Sequence, residues 1–180
     1  EHALALMLAV LRQVPRFDHD VRMGAGWSWD SDRQDGLGEI GGRTVGLVGF
    51  GAVPALLAPV LHALGARVLY TARTQHPTAN AEWRSFPALL AESDILSLHV
   101  PLTPLTERLL DRSAFAQMRP GSILINTARG GLVDEEALLA ALASGRLAGA
   151  GLDVFAAEPL SIPHQLAQLP NVVLAPHVAW

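Results

Sequence analysis

The 180-residue chain contains no cysteine. This absence excludes disulfide bonds and thiolate catalysis by the chain itself, and it is typical of proteins from a reducing compartment. We therefore expect a cytoplasmic protein. The seven histidines also show no metal-ligand spacing such as H-x-x-x-H, so the sequence predicts no metal site.

Charge is equally sparse, since only 17% of the residues are charged and the formal net charge is −4. A protein that binds nucleic acid by neutralising phosphates needs a basic stripe, which this sequence lacks. No apolar run is long enough to span a bilayer, and the N-terminus lacks the basic segment of a signal peptide. We expect neither a nucleic-acid partner nor association with a membrane. The length of the chain predicts one domain with one hydrophobic core.

The most informative stretch is RTVGLVGFGAVPALLAPVLHALGARVLYTAR, from Arg43 to Arg73. A short apolar run rich in β-branched residues, a Gly49-Phe50-Gly51 turn, an apolar segment of helical length and a second short run predict a βαβ unit. Glycines in such a turn allow a pyrophosphate to approach the backbone. The free N–H groups of Ala52 and Val53, at the helix N-terminus, would then bind it. This context favours a dinucleotide-binding site and not an ordinary tight turn.

The stretch departs from the G-x-G-x-x-G pattern at two prolines. Pro54 stands where the third glycine normally allows the helix to pack closely on the strand. Pro59 removes the hydrogen bond to the Ala55 carbonyl. We expect a kink or disturbed first two turns, and a phosphate site that is weakened but not abolished.

Outside this unit the pattern alternates between helices and strands. Residues 2–15 are apolar nearly all round, which predicts a helix that ends at Pro15 and is buried on more than one side. Residues 16–42, with Trp27 and Trp29, read as a surface arm. Further strands are predicted at 94–98, 122–126, 148–154 and 171–175, and helices at 86–91, 111–118 and 135–144, with Asp111 and Asp134 as N-caps and Gly145 as the C′ residue. This alternation predicts an α/β fold with a doubly wound parallel sheet, helices on both faces.

Polar residues cluster at the predicted carboxyl ends of these strands: His99, Asn126 to Arg129, Asp153, Glu158 and His177. Each one alone is adequately explained as a turn former or a solvated loop residue. Ligands of such sheets, however, bind outside the carboxyl ends of the strands. An arginine, a histidine and a carboxylate on one edge therefore predict an active site.

The motifs GFGAV at 49–53, NTARGGLVD at 126–134, GLDVF-x-x-EP at 151–159 and PHVA at 176–179 resemble the D-isomer-specific 2-hydroxyacid dehydrogenases. The opening EHALALMLAVLR is similar to their interdomain helix. The resemblance implies that residues 1–180 are the dinucleotide-binding domain, that the substrate domain lies outside this chain, and that the isolated domain is nearly inactive. It also implies a homodimer through residues 1–30, and HVAW at the end resembles the glyoxylate and hydroxypyruvate reductases.

The resemblance also implies residue roles for the interconversion of a small 2-hydroxy acid and its 2-oxo acid. Arg129 would hold the substrate carboxylate, His177 would donate a proton to the carbonyl oxygen, and Glu158 would orient His177 and keep it protonated. Asp153 would position the nicotinamide carboxamide. The candidate cofactor-binding residues are Gly49, Gly51, Ala52, Val53, Thr71, Arg73, Thr74, His99, Val100, Pro101, Thr106, Thr127, Ala128, Arg129, Asp153 and His177.

Two questions stay open at this stage. Sites built for NAD end the second strand with a carboxylate, about twenty residues past the glycine turn. Here Thr71 occupies that position and Arg73 and Thr74 follow, so the sequence predicts NADP over NAD. The alternative to an enzyme is a catalytically silent member of the family that senses the cofactor and binds proteins. Pro54 and Pro59 favour that alternative, whereas Arg129, Glu158 and His177 favour the enzyme.

Overall fold

The computed structural model describes residues 1–25, 37–75, 78 and 80–179. Within them, parallel strands form one seven-stranded sheet. The strands are β1 (Thr44–Val48), β2 (Arg67–Thr71), β3 (Glu82–Trp83), β4 (Ile95–Leu98), β5 (Ser122–Asn126), β6 (Leu147–Leu152) and β7 (Val172–Leu174). Their order is β3-β2-β1-β4-β5-β6-β7. The predicted doubly wound sheet is confirmed, and the strand order reverses between β1 and β4.

The described helices are α1 (His2–Arg12), α2 (Val14–Arg22), α3 (Ala52–Ala63), α4 (Phe86–Glu92), α5 (Arg112–Gln117), α6 (Glu135–Ala143) and α7 (Gln165–Gln168). Alternate strand residues point to opposite faces of the sheet, and each face is covered. Helices α1 and α3 cover one face over residues such as Val45 and Leu47. Helices α4 to α7 cover the other over Val48 and Leu96. The predicted helices on both faces are therefore confirmed.

The caps predicted for two helices are present. The Asp111 side chain accepts a hydrogen bond from the Ala114 N–H at 2.8 Å, and the Asp134 side chain accepts one from Ala137 at 3.0 Å. Gly145 follows α6 with φ 71°, in the left-handed region that favours glycine. These local signals were readable because a cap needs only residues within one turn of it.

The first 25 residues differ from the prediction. Pro15 does not end the first helix: α1 ends at Arg12, Gln13 turns the chain with φ 50°, and Pro15 lies in the first turn of α2. A proline is tolerated there because the first N–H groups of a helix have no intrahelical partner. Part of the predicted arm is thus helical, and Trp27 and Trp29 lie outside the described residues.

Helix α1 buries one face and exposes the other. Ala3, Leu6, Met7 and Leu11 are buried, whereas Leu8 is 39% exposed. The prediction of burial on more than one side is therefore not met by the chain itself.

Candidate functional site

The two glycines after β1 have different structural roles. Gly49 has φ 96°, and a Cβ there would lie 2.7 Å from the His99 carbonyl oxygen, so only glycine lets the ends of β1 and β4 approach. Gly51 is the N-cap of α3, and a Cβ there would meet nothing within 4 Å. The backbone at Gly51 therefore faces open space, as a site that admits a phosphate group requires.

The prolines of α3 do not break the helix. It runs without interruption from Ala52 to Ala63 with Pro59 inside it, and Pro54 is buried in its first turn. The Ala55 N–H still donates to the Gly51 carbonyl at 3.1 Å. The expected disturbance of the first two turns is wrong, because Pro54 lies where the helix has no N–H to lose. The helix also continues past Pro59, although this proline has no N–H to donate to the Ala55 carbonyl.

A cleft of about 750 Å³ opens beside Gly51, at the reversal of the strand order. Segments that follow three strands line it: 51–54 after β1, 99–102 after β4 and 127–129 after β5. The start of α1, at 1–3, and Ala179 complete the wall. Of the predicted cofactor-binding residues, Gly51, Ala52, Val53, His99, Val100, Pro101, Thr127, Ala128 and Arg129 line this cleft.

The three residues that predict NADP, Thr71, Arg73 and Thr74, are not part of the cleft wall. Thr71 ends β2 opposite Val48 of β1, and its carbonyl accepts the Gly49 N–H at 2.8 Å. Arg73 and Thr74 follow on the exposed surface. Within the described part of the chain, the Arg73 guanidinium makes no ion pair or hydrogen bond. Arg73 lies two residues beyond Thr71, whose carbonyl contacts the glycine turn.

Two other predicted residues are used within the protein. The Thr106 hydroxyl donates to the Pro101 carbonyl at 2.7 Å and accepts the Thr103 N–H at 2.8 Å, so it braces its own loop. His99 lies 2.9 Å from the Ser97 hydroxyl through Nε2, and burial lowers its pKa to about 4. A neutral His99 can line the cleft without adding positive charge to it.

Arg129 is held through its backbone by Asn126, the last residue of β5. The buried Asn126 side chain donates from Nδ2 to the Arg129 carbonyl at 2.9 Å and accepts the Ala128 N–H at Oδ1 at 3.0 Å. The Arg129 side chain itself is exposed at the cleft. One guanidinium nitrogen donates to the Ala128 carbonyl at 2.6 Å, and the exposed side chain keeps further donors for a carboxylate while its backbone is fixed.

Glu158 and His177 form a direct pair, with Oε2 of Glu158 2.7 Å from Nδ1 of His177. The second carboxylate oxygen accepts the Phe155 N–H at 3.0 Å. The pKa of Glu158 is lowered, mainly by the hydrogen bond with His177, then by the Phe155 N–H, with a smaller effect of the Arg129 charge. Because an ionised carboxylate only accepts hydrogen bonds, Nδ1 carries a proton and Nε2 faces away, available for proton transfer.

His177 and Arg129 are brought to the same edge of the sheet but line different cavities. His177 and Glu158 line a mainly apolar cavity of about 370 Å³, whereas Arg129 lines the larger cleft. The backbones between them nearly touch, since a Cβ on Gly130 would overlap the Phe155 carbonyl. The structure brings Glu158 and His177 together, whereas Arg129 lies in the neighbouring cleft, and the convergence of all three on one substrate stays a prediction.

Asp153 is completely buried and does not line the cleft. Its carboxylate accepts the backbone N–H groups of Val178 at 3.0 Å and Ala179 at 2.8 Å. Its carbonyl accepts the His177 N–H at 2.8 Å, and His177 has φ 54°, an uncommon value for a residue other than glycine. Asp153 thus fixes the turn that carries His177.

The sequence did not identify several residues of the cleft wall: Glu1, His2, Ala3, Pro54, Leu102 and Ala179. Most are apolar and carry no chemical signal. His2 is different, because it is the first residue of an otherwise apolar helix and its Nε2 lies 3.3 Å from Oδ1 of Asp153. A polar residue within an apolar helix was the signal that could have identified it.

The described residues contain no group of three histidine, aspartate or glutamate side chains arranged to hold a metal ion. None of the described helices combines the length and apolar character needed to cross a membrane.

Comparisons with known proteins give matches over nearly the whole chain. The family model described as D-isomer specific 2-hydroxyacid dehydrogenase, NAD binding domain, matches residues 4–179. A glyoxylate reductase from Aeropyrum pernix is 42% identical over 187 residues, which cover 99% of this chain and 56% of the relative. The chain spans about half, or about a third, of the length of the curated relatives it matches.

Two solved structures resemble the fold closely. A glyoxylate reductase from Paecilomyes thermophila is 35% identical with a TM-score of 0.89, over 98% of this chain and 53% of that one. A D-lactate dehydrogenase with NAD+ from Lactobacillus jensenii is 34% identical with a TM-score of 0.85, over 97% of this chain and 56% of that one.

Proposed function

Because the chain belongs to the D-isomer-specific 2-hydroxyacid dehydrogenase family and carries its NAD-binding domain, we propose that the full-length protein interconverts a D-2-hydroxy acid and its 2-oxo acid by hydride transfer. The observation that carries this proposal is the Glu158–His177 pair at 2.7 Å, with the Arg129 guanidinium at the same sheet edge. A silent cofactor sensor has no need of this arrangement, and an unbroken α3 removes the argument that favoured one.

Each residue has a step that its chemistry suits. Arg129 binds the carboxylate of the 2-oxo acid with a planar, permanently charged fork and polarises the neighbouring carbonyl. His177 donates the proton on Nε2 to the carbonyl oxygen as the oxygen gains charge, and accepts it back in the oxidation direction. Glu158 holds the imidazole by Nδ1 and stabilises its cationic form. When bound in the cleft, the nicotinamide cofactor supplies or accepts the hydride.

The test is a screen of the full-length protein against small 2-oxo acids with NADPH and with NADH. We expect reduction of at least one acid, and His177→Ala should lower kcat by about 100-fold to 10,000-fold, the usual contribution of a general acid. His62→Ala is the matched control, because His62 is exposed on α3 and remote from the Glu158–His177 pair. A His177→Ala enzyme with the turnover of wild type would refute the assignment.

We further propose that the cofactor is NADP in preference to NAD. Thr71 places no carboxylate at the end of β2 to repel a 2′-phosphate, and Arg73 is exposed two residues further on. A charge-assisted contact with phosphate contributes about 1.5–3 kcal/mol, so a preference of about tenfold to 100-fold is expected. Dissociation constants for NADPH and NADH should differ in that ratio in wild type and converge in Arg73→Ala. Tighter binding of NADH by wild type would exclude the preference.

We also propose a homodimer that covers the exposed apolar residues of α1 and α2. Four apolar side chains on or just after these helices are exposed: Leu8 at 39%, Val14 at 55%, Val21 at 47% and Met23 at 70%. Apolar side chains exposed together on one surface are typical of a protein–protein interface. Sedimentation of the full-length protein should show a dimer, and Val21→Asp should weaken it. A stable monomer at micromolar concentration would contradict this proposal.

A further inference from the structure

Helix α1 lies directly on strand β6 because that strand carries glycines on the face below the helix. A Cβ on Gly151 would lie 2.9 Å from Cβ of Leu6, and one on Gly149 would lie 2.9 Å from Cγ1 of Val10. Any side chain at these two positions would push the helix off the sheet. The close approach is therefore a property of the sequence LAGAGLD.

The spacing of these contacts along α1 and β6 also explains the position of His2. Four residues of a helix rise by about 6 Å, and two residues of a strand advance by about 6.6 Å. Val10 over Gly149 and Leu6 over Gly151 are one such step apart. The next step along both elements places His2 over Asp153, where Nε2 of the histidine lies 3.3 Å from Oδ1 of the carboxylate.

Both partners of this contact are buried at the atoms that face each other. The Asp153 carboxylate has no exposed surface, and within the described residues its other contacts are the Val178 and Ala179 amides. Nε2 of His2 is buried, and it makes no hydrogen bond of good geometry with any described group. A buried carboxylate is stabilised by each additional donor, and a buried ring nitrogen needs an acceptor.

We infer that His2 is a positioning residue for His177 and that it acts through Asp153. With Nε2 3.3 Å from Oδ1, His2 packs against the carboxylate that holds the Val178 and Ala179 amides, and thereby supports the turn that presents His177. The position of α1 on β6 sets the distance between His2 and Asp153, so a shift of the helix would also shift the turn that carries His177. The role in turnover rests on the proposed function, whereas the role in holding the turn does not.

The experiment uses two variants of the full-length protein that differ in the reach of one amide. The amide nitrogen of glutamine can replace Nε2 of histidine, whereas that of asparagine corresponds to Nδ1 and does not reach Asp153. Hydrogen exchange of the Val178 and Ala179 amides should be faster in His2→Asn than in wild type and close to wild type in His2→Gln. His62→Asn, on α3, is the control and should leave both amides unchanged.

Turnover is the second readout. His2→Asn should lower kcat by about tenfold, as a small displacement of a proton donor does, with KM for the 2-oxo acid changed less than about twofold. His2→Gln should recover most of that loss. Wild-type exchange in His2→Asn, equal behaviour of both variants, or faster exchange with unchanged kcat would overturn the inference. A wild-type protein without any turnover would contradict the proposed function instead, and hydrogen exchange would still test the contact.

Discussion

Replacement of Asn126 by leucine should cost both stability and activity, because one buried amide fixes the backbone of Arg129. The side chain is 1% exposed, and it makes two hydrogen bonds, to the Ala128 N–H and the Arg129 carbonyl. Leucine has nearly the same volume but neither polar group. The effect therefore reports on the hydrogen bonds and not on a cavity.

The magnitude follows from those two bonds. Each contributes about 1 kcal/mol net, and the freed groups belong to a partly exposed loop where water can replace the amide, so about 2 kcal/mol in total is expected. Loss of the brace also lets Arg129 shift. A displacement of about 1 Å from the productive position can lower kcat/KM by about 100-fold.

Urea unfolding and steady-state kinetics of the full-length protein measure the two effects. Asn126→Asp separates the two hydrogen bonds. It keeps the oxygen that accepts the Ala128 N–H, but it replaces the donor to the Arg129 carbonyl with a carboxylate oxygen. Its kcat/KM should fall as far as that of the leucine variant. Ser122→Ala, at the start of the same strand, is the control, since the buried Ser122 hydroxyl has no partner among the described residues. A leucine variant that loses about 2 kcal/mol and keeps wild-type kcat/KM would show that the brace does not position Arg129.

Two further predictions concern stability. Glu82, whose pKa is lowered from 4.5 to about 2 chiefly by a hydrogen bond from Arg67, stabilises the fold above pH 4.5, and this contribution is lost as the pH falls toward 2. Because Glu82 is half exposed, it amounts to at most about 1 kcal/mol, and acid titration of unfolding should be flatter in this pH range in Glu82→Gln. Gly46→Ala should lower the free energy of unfolding by about 1–3 kcal/mol, as overpacking does, because the added Cβ would overlap the buried Ser93 hydroxyl. Gly51→Ala should leave the free energy of unfolding unchanged, because a Cβ at Gly51 would lie in open space. Equal unfolding free energies for the two alanine variants would refute the packing argument.

The sequence predicted what depends on local patterns and missed what depends on distant contacts. Strands of five residues with a buried pattern were found, whereas the two-residue β3 has no periodicity to detect. Helix α2 was missed because none of its residues is buried. Its Arg22–Asp18 pair, at 2.8 Å, is a local stabilising contact in place of a core face.

The candidate site divides in the same way. The motifs pointed to Arg129, Glu158 and His177, and the structure places all three at the same edge of the sheet, as the rule for parallel sheets predicts. Their roles stay predictions. The sequence could not show that the Thr106 hydroxyl would be used within its own loop, or that Asp153 would hold a turn from a buried position. Such roles depend on hydrogen bonds between residues far apart in the chain.

The two residues that fix the site are themselves neighbours. Asn126 ends β5, Asp153 follows β6, and the Asp153 N–H donates to the Asn126 carbonyl at 3.0 Å. One side chain holds the loop of Arg129 and the other holds the turn of His177, so the backbones of both residues rest on a single buried polar unit. Since buried polar groups with hydrogen-bond partners resist displacement, the sheet fixes the backbone positions of Arg129 and His177.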